Sequence, residues 1–539
     1  MSSKEPKQQS ACLCFHCRVR QGEKTCFADE DDVYYDAEHI EQAKAFWQVI
    51  SDQVVKEKNR AQALASIVSS KVMEIVKFLG NAFVDMPLDI EHSTEVQADL
   101  FAMPESIRMC SECHCFFSRK AKCHCKKCMG EDYRSHYVIL MHGVIAEPFC
   151  MAYVAQALLA NYPNLFIYFP HKIAGKSLVG LELVLQMYSS ELHELFVKIP
   201  KQIKLSVIGH SFGGIILRTW LFYYHRKTPG VYIPKEPAQD EEKKEGAPEA
   251  QNEPLAGPYE PPEIQWCNYI SFASPHSGIY ENNAAFRKVI SLAGSKSIDE
   301  LDNQSVDLLL LVSEQGLESI KQFQNMIVYG NLWGDHLVAP RTSMLLPRYR
   351  INSTMIKAFT KNGEEDPGEP HAILDLMSKY EGPRPEDDVG DGVESSVNRE
   401  EAAEKLIKAF YARVAKVILK TSHVNKLMFD SDKPIIEGDD DSVCRQVFTE
   451  EDIKAFTKII SDLVVKASDK LVERLLSKTD LLYQEVLLTA LWELTPYKFA
   501  VYMPIMCMPH KSIVTPMDIH AYDKLTNKVL THAADRFIA

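Results

Sequence analysis

A serine between two glycines follows a run of β-branched residues and could act as a covalent nucleophile. The stretch reads Gly209-His-Ser211-Phe-Gly213, after a strand-like segment at 205–208 and before an apolar, helix-like run. Where a strand turns sharply into a helix, the serine hydroxyl projects above the sheet, and small residues on either side let the two backbones pass. Ser211 is therefore predicted to be a nucleophile. The alternative is an ordinary glycine-rich turn.

The other two members of a serine-centred catalytic set should follow later strands. Asp335 follows the strand-like segment 326–329 and is predicted to orient the general base, although an aspartate there could instead cap its own turn. His510 follows the strand-like segment 499–506 and precedes a helical terminus, which gives the chain order Ser, Asp, His. Three histidines compete with it for the role: His371 before a linker-like segment, and His520 and His532, which are better explained as surface or helix histidines.

Acyl transfer also needs hydrogen-bond donors for a developing oxyanion. In a strand-turn-helix site one donor is the amide of the residue after the nucleophile, and the other comes from the loop after an early strand. Phe212 and Val144 occupy those two positions. Three further residues are predicted to line the site: His142, Gly143 and His276.

All these side chains come just past the carboxyl ends of predicted buried strands. From residue 133 onward such strands alternate with helices, which indicates an α/β fold with a mostly parallel sheet covered on both faces. Sheets of this kind place their sites at the carboxyl edge. We predict strands at 137–141, 165–169, 205–208, 269–273, 326–329 and 499–506, and a terminal helix at 522–538.

The 539 residues are expected to form two domains. Residues 1–130 are predicted to be a cysteine-rich helical region, with amphipathic helix at 37–79, and residues 131–539 the catalytic domain. Three stretches interrupt the latter: a disordered insertion at 226–263, an acidic linker at 363–398 and a helical insertion at 400–480.

The inserted helices are predicted at 400–420 and 449–494. The second begins with a capping box from Thr449 to Asp452. Because these helices lie between the acid and the base in the chain, they could form a lid or an acyl-chain wall. The alternative is that they only pack at the edge of the sheet.

Ten of the 14 cysteines precede Met129, in pairs that could hold zinc. Paired thiolates two residues apart can bind one tetrahedral Zn²⁺ from a tight turn. The predicted ligands are Cys110, Cys113, Cys125 and Cys128, with Cys14 and Cys17 as candidates for a second site. Structural zinc is the prediction. Incidental reduced thiols, or lipid attachment to the first cysteines, are the alternatives.

Composition excludes several classes of protein. A net charge of −14 argues against a general nucleic-acid binder, which needs an excess of Lys and Arg. No apolar stretch reaches the roughly 18 residues of a membrane span, and the first residues lack the apolar core of a secretion signal. We therefore expect a cytoplasmic protein. Any contact with membranes or lipid droplets is expected to be peripheral. No cofactor is expected in the chemistry.

Several of these motifs resemble the eukaryotic putative serine esterase (lipase-like) family of the α/β-hydrolase superfamily. They are His142-Gly143, Gly209 to Gly214, Ser-Pro-His-Ser-Gly at 274–278, Asp335 with Val338, and residues 483–514. The resemblance implies an α/β-hydrolase fold, lipid-ester substrates, and a triad of Ser211, Asp335 and His510. Residues 110–130 also resemble the first half of a FYVE-type finger, which would imply phosphoinositide binding.

The sequence thus predicts a serine hydrolase of carboxylic esters, with a lipid esterase or lipase favoured over a thioesterase, a peptidase or a small-ester hydrolase. The alternative from another class is a catalytically silent scaffold or regulator at membranes that keeps the fold. The complete Ser-Asp-His set argues against that alternative.

Overall fold

A computed structural model describes most of the chain beyond residue 105, and all described residues belong to one compact unit (86–504 and 508–539). The described residues are 106–110, 115–119, 135–144, 146, 148–174, 176–197, 199–227, 261–279, 296–332, 335, 337–351, 373–376, 397–420, 438–492, 494, 497–501, 509–515 and 520–539. The predicted helix at 37–79 lies outside them, and so does almost all of the insertion at 226–263.

The described strands form one sheet of nine, in the order β1-β2-β4-β3-β5-β6-β7-β9-β8. Neighbours from β4 to β9 pair in parallel, and β1-β2, β2-β4 and β8-β9 are antiparallel. The strands are β1 Ile107–Met109, β2 Cys115–Ser118, β3 His136–Met141, β4 Phe166–Tyr168, β5 Gln202–His210, β6 Glu263–Phe272, β7 Asn325–Asn331, β8 Ile373–Asp375 and β9 Tyr497–Val501. The predicted α/β class, its mostly parallel sheet and its six strands are confirmed, although β9 ends at Val501 and residues 502–508 lie outside the description.

Helices follow the strands as expected for a doubly wound sheet. They are α1 Ala152–Asn161, α2 Leu181–Phe196, α3 Phe212–His225, α4 Lys296–Asp299, α5 Asp307–Leu310, α6 Glu314–Lys321, α7 Pro340–Met344, α8 Arg399–Lys420, α9 Asp440–Arg445, α10 Glu450–Lys466, α11 Asp469–Ser477, α12 Thr479–Trp492, α13 Pro509–Ser512 and α14 His520–Asp535. Short 3₁₀ turns span Pro148–Met151 and Arg348–Arg350, and a π turn spans Glu300–Gln304. The terminal helix predicted at 522–538 corresponds to α14.

Alternate residues of each central strand face opposite sides of the sheet, so a large hydrophobic core forms on each face. Ile139 and Val207 pack with α2, α3 and the inserted helices. Val138 and Ile208 pack on the other face with α1 and α14. Because both faces are covered, the central strands are buried along most of their length, as the six fully buried residues of β3 illustrate.

The inserted helices α8 and α10 to α12 share the first core through Leu406, Phe410, Phe456 and Leu482. Polar contacts fix the insertion further: the buried Glu485 carboxylate pairs with Arg341 and accepts a hydrogen bond from the Arg348 amide at 2.8 Å. The predicted capping box is confirmed, with Thr449 and Asp452 each bonded to the other's backbone amide. These helices therefore pack on one another, on the π turn and on α6, and a lid or acyl wall stays a prediction.

Three strands, at the two edges of the sheet, occur where no strand was predicted. β1 and β2 form a hairpin inside the region 1–130, and β2 pairs with β4 through Cys115 and Phe116. At the other edge β8 pairs with β9, although residues 363–398 read as a linker. Strands of three or four residues are too short to show the alternation by which strands are recognised. Within the described part of the chain, no helix is long and apolar enough to cross a membrane.

Candidate active site

Ser211 lies on a strained turn between β5 and α3. Its backbone has φ 56° and ψ −129°, a conformation that non-glycine residues rarely adopt and that persists only where the surroundings impose it. The turn is held at both ends, because the Ser211 amide donates to the Phe272 carbonyl at 2.8 Å and the Ser211 carbonyl accepts from the Gly214 amide at 3.1 Å. The strand-turn-helix context predicted for Ser211 is present.

The glycines beside Ser211 are required by close backbone approach. A Cβ on Gly209 would lie 2.5 Å from the Gly214 nitrogen, and one on Gly213 would collide with the Met141 carbonyl and lie 2.6 Å from the His142 oxygen. Real Cβ atoms do not come so close to backbone atoms. The turn can form only because positions 209 and 213 carry no side chain.

The loop after β3 lies directly against the serine. A Cβ on Gly143 would be 2.7 Å from Ser211 Cβ and 3.1 Å from Ser211 Oγ. Val144 follows in the same loop and is half-buried. Phe212 is the first residue of α3, and the amide of a first helical residue has no partner within its own helix. Both segments proposed as oxyanion donors therefore adjoin Ser211.

Asp335 follows β7 and accepts four hydrogen bonds. Oδ1 accepts from the amides of Leu337 (3.0 Å) and Val338 (2.9 Å). Oδ2 accepts from Asn331 Nδ2 and from His510 Nδ1, each at 2.9 Å. This set of donors fixes the carboxylate in one orientation and stabilises its charged form.

Burial by itself would raise the pKa of Asp335, but the combined opposing effects are stronger. The charge of the His510 ring, and hydrogen bonds from His510, Asn331 and Val338, lower the pKa of the carboxyl below its usual range. Asp335 is therefore ionised at neutral pH and can stabilise an imidazolium at His510.

His510 lies in the one-turn helix α13 and faces Asp335. Because a carboxylate can only accept, Nδ1 of His510 carries the hydrogen of the 2.9 Å bond, and Nε2 is the nitrogen left to take a proton. The His510 carbonyl accepts from Nε2 of His210 at 2.7 Å, and the two rings lie 4.8 Å apart between centroids. His210 is the residue before Ser211, so the segment that carries His510 adjoins the turn that carries Ser211.

The predicted site-lining histidines occupy different surroundings. His142 is fully buried, its Nδ1 lies 2.9 Å from the Gly143 carbonyl, and burial lowers its pKa to about 4. His276 lies in the core, with Nε2 2.9 Å from Ser271 Oγ and Nδ1 3.4 Å from the Arg218 guanidinium. Burial, followed by the charge of Arg218, holds the pKa of His276 well below its usual value. Both rings are neutral at neutral pH, and the hydrogen bonds described for His276 lead to β6 and α3 rather than to Ser211, Asp335 or His510.

Two of the three competing histidines, His520 and His532, lie on α14. His532 lies on α14, with its Nδ1 2.8 Å from the Tyr329 hydroxyl, far along the chain from any strand end. His520 begins α14. His371 lies outside the described residues.

Of the six predicted zinc ligands, the structure describes Cys110. It is buried beside the β1–β2 hairpin, where its amide donates to the Cys115 carbonyl at 2.9 Å. Within the described ranges, no group of three or more His, Cys, Asp or Glu side chains could hold a metal ion. The other ligands fall outside those ranges: Cys14, Cys17, Cys113, Cys125 and Cys128.

Two residues of the site were not anticipated. Asn331, the last residue of β7, bonds Asp335 four residues later. A polar residue that ends a buried strand just before Asp335 is a signal by which it could have been found. His210 lies inside the serine motif itself, but its bond to the backbone of a residue 300 positions away has no local signal.

One protein-family model matches part of the chain. Residues 131–345 match the model of the family described as Putative serine esterase (DUF676), a stretch that contains Ser211 and Asp335. No curated protein matches the chain.

Similar solved structures include Esterase B from Lactobacillus rhamnosis HN001, with 12% identity and a TM-score of 0.28. The matched region covers 50% of this chain and 77% of that one. A lipase-esterase related protein from Clostridium acetobutylicum ATCC 824 has 12% identity and a TM-score of 0.21, with 39% of this chain covering 80% of that one. A structure from a study of the metagenome-derived lipolytic enzymes LipS and LipT has 9% identity and a TM-score of 0.23, with coverages of 39% and 76%. These distant similarities say nothing about substrate.

Proposed function

We propose that this protein is a serine hydrolase that cleaves carboxylic esters through an acyl-enzyme, with Ser211 as nucleophile, His510 as general base and Asp335 as the group that orients it. One observation carries the proposal: the imidazole of His510 is bonded to the ionised Asp335, while its backbone is bonded to the residue next to Ser211. A base oriented by a carboxylate beside a strained serine is the arrangement that acyl transfer requires.

The reaction then proceeds in two halves. Nε2 of His510 takes the proton of the Ser211 hydroxyl as Oγ attacks the ester carbonyl carbon, and the amides of Phe212 and Val144 stabilise the oxyanion. The imidazolium returns that proton to the departing alcohol, which leaves an acyl group on Oγ. A water molecule, deprotonated by the same nitrogen, attacks the acyl carbonyl, and His510 then reprotonates Ser211 as the carboxylic acid is released.

A lipid ester is the substrate class we favour, reached by peripheral contact with a membrane or droplet from the cytoplasm. In support, the side chains of Val179 and Leu183 are 39% and 47% exposed. Val179 lies in the connection from β4 to α2, and Leu183 lies in the first turn of α2. In a parallel sheet the helix that follows a strand begins near the carboxyl edge, which is also the edge of Ser211. Apolar side chains exposed near an active-site edge suit an apolar acyl chain or a lipid surface.

The first experiment is covalent labelling of the full chain by a fluorophosphonate probe. We expect labelling of the wild type, none in Ser211→Ala, and a rate at least about 10³-fold lower in His510→Ala, since triad members act as a unit. His532→Ala is the matched control, because it removes a partly buried histidine whose described hydrogen bond goes to the Tyr329 hydroxyl rather than to a proposed triad residue, and it should label normally. A folded wild-type protein that does not label would favour the silent scaffold or regulator.

The substrate class is tested separately with a series of glycerol and p-nitrophenyl esters of increasing acyl length, alongside thioesters. A lipid esterase should show kcat/KM rising with acyl length and falling when Val179 and Leu183 are both changed to Ser. Equal or greater activity on short acyl esters or thioesters would overturn the lipid assignment and leave the triad standing.

Structural zinc at the cysteines stays part of the proposal. Metal analysis of the purified full chain should find zinc that decreases in Cys125→Ser and Cys128→Ser variants. An unchanged zinc content in those variants, or a metal-free wild type, would instead support incidental thiols.

A further inference from the structure

We propose that His210 is a positioning residue that holds the general base in register with the nucleophile, an inference that rests on the proposed function. Its Nε2 lies 2.7 Å from the backbone carbonyl of His510, and its ring lies 4.8 Å from the His510 ring between centroids. His210 is joined to Ser211 by one peptide bond. The contact therefore connects the backbone that presents the serine to the backbone that presents the base.

The direction of this hydrogen bond fixes the form of the His210 ring. A carbonyl oxygen only accepts, so Nε2 of His210 must carry the hydrogen and donate it. Burial, together with the charge of the nearby His510, lowers the pKa of His210 to about 3. At neutral pH the ring is therefore uncharged, and it does not repel the imidazolium that forms on His510 during turnover.

The described hydrogen bonds of the base segment each fix a different part of it. Asp335 fixes the His510 side chain, and downstream contacts fix later residues: Thr526 Oγ1 donates to the Ser512 carbonyl at 2.5 Å and Thr515 Oγ1 to the Cys150 carbonyl at 2.7 Å. Among the described residues, His210 makes the hydrogen bond from the nucleophile strand to the backbone of His510 itself. The end of β5 that carries His210 is in turn fixed by pairing with Phe272 of β6.

The expected consequence is a loss of alignment rather than of binding. Without the His210 bond, α13 can shift while Asp335 still holds the imidazole, so Nε2 would drift relative to Ser211 Oγ. A displacement on the order of 1 Å at a reacting group costs about 10²-fold in rate. Substrate binding does not depend on this contact, so KM should change little.

The test compares two variants of equal side-chain length, His210→Gln and His210→Met. The glutamine amide can donate from a position close to that of Nε2, and methionine cannot. For His210→Met we expect the fluorophosphonate labelling rate and kcat on a soluble p-nitrophenyl ester to fall about 10- to 100-fold, with KM within roughly threefold of wild type. His210→Gln should recover most of both rates.

His136 supplies the matched control, since it is also buried and its Nε2 lies 2.8 Å from Ser206 Oγ. It is the first residue of β3, whereas His210 is the last residue of β5. His136→Met should lower the Tm without changing the labelling rate. Thermal unfolding of each variant establishes that it is folded in the assay. If His210→Met does not fold, His210→Phe replaces it as the variant without a donor.

The outcomes separate the two proposals. A folded His210→Met or His210→Phe that labels at the wild-type rate overturns the positioning role and leaves the serine hydrolase intact. Equal losses in the glutamine and methionine variants also overturn it, because they would assign the effect to ring packing. A wild-type protein that does not label overturns the proposed function, and the positioning role with it.

Discussion

The nucleophile turn and the base segment are positioned by different physical means. Ser211 is placed by its own backbone, through a left-handed φ, one hydrogen bond to β6 and one to the Gly214 amide. Gly209 packs against Gly214, and Gly213 packs against the Met141 carbonyl of β3. His510 is placed by side chains from elsewhere, Asp335 lying 175 residues away and His210 lying 300 residues away. The first arrangement is local and close-packed, and the second depends on hydrogen bonds between distant segments.

This difference implies different responses to mutation. A packed turn should fail through steric clash, with a loss of stability. A hydrogen-bonded segment should fail through misalignment, with a loss of rate while the fold survives. Each of the following changes tests that contrast.

The largest effect on rate is expected from Asp335→Asn. The amide keeps the size of the side chain but cannot orient or stabilise the His510 imidazolium, and such a change in a serine triad costs about 10⁴-fold in kcat. Labelling by a fluorophosphonate and ester turnover should both fall to that extent, with little change in far-UV circular dichroism. A decrease below tenfold would show that Asp335 is not the orienting acid.

Gly213→Ala should instead affect stability and rate together. Its Cβ would collide with the Met141 carbonyl, and relief of such overpacking typically costs about 1–3 kcal/mol. A shift of the turn should also slow labelling about 10²-fold. The control is Gly438→Ala, where a Cβ would meet only the Ser442 side chain. A Gly213→Ala protein with wild-type Tm would show that close packing does not hold the Ser211 turn, and would contradict the contrast drawn above.

Acid should weaken the hydrogen-bonded arrangement selectively. The folded-state pKa of Asp335 lies below its unfolded value of about 3.9, so the ionised carboxylate contributes stability above that pH and loses it as pH falls through the folded pKa. The Tm difference between wild type and Asp335→Asn should therefore shrink as the pH falls below about 4. A difference that grows on acidification would contradict the depressed pKa.

Thr526→Val gives the smallest change. It removes the hydrogen bond from α14 to the Ser512 carbonyl, two residues beyond the base, at a cost of about 1 kcal/mol. Because His210 and Asp335 still hold His510, labelling should slow by less than roughly threefold. A loss as large as that of His210→Met would mean that the downstream contact, rather than His210, positions the base.

The same contrast explains what could be predicted from the sequence. The order of strands, the turn at Ser211 and the loops that carry Asp335 and His510 follow from local patterns of apolar residues and glycines. The bond made by His210 could not be predicted, since it depends on which distant segments the fold brings together. The bond made by Asn331 is local, four residues before Asp335, and its signal was overlooked. The β1–β2 hairpin and β8 were missed because strands this short have no periodicity to detect.

That hairpin has a practical consequence for the design of shortened proteins. A fragment that begins at residue 131, where the family match begins, would lack β2 and leave the outer side of β4 unpaired. Unpaired sheet edges add strands from other molecules and promote aggregation. A fragment meant to retain the hydrolase should therefore begin upstream of Ile107, and insolubility of a shorter one would reflect an uncovered edge rather than a lost active site.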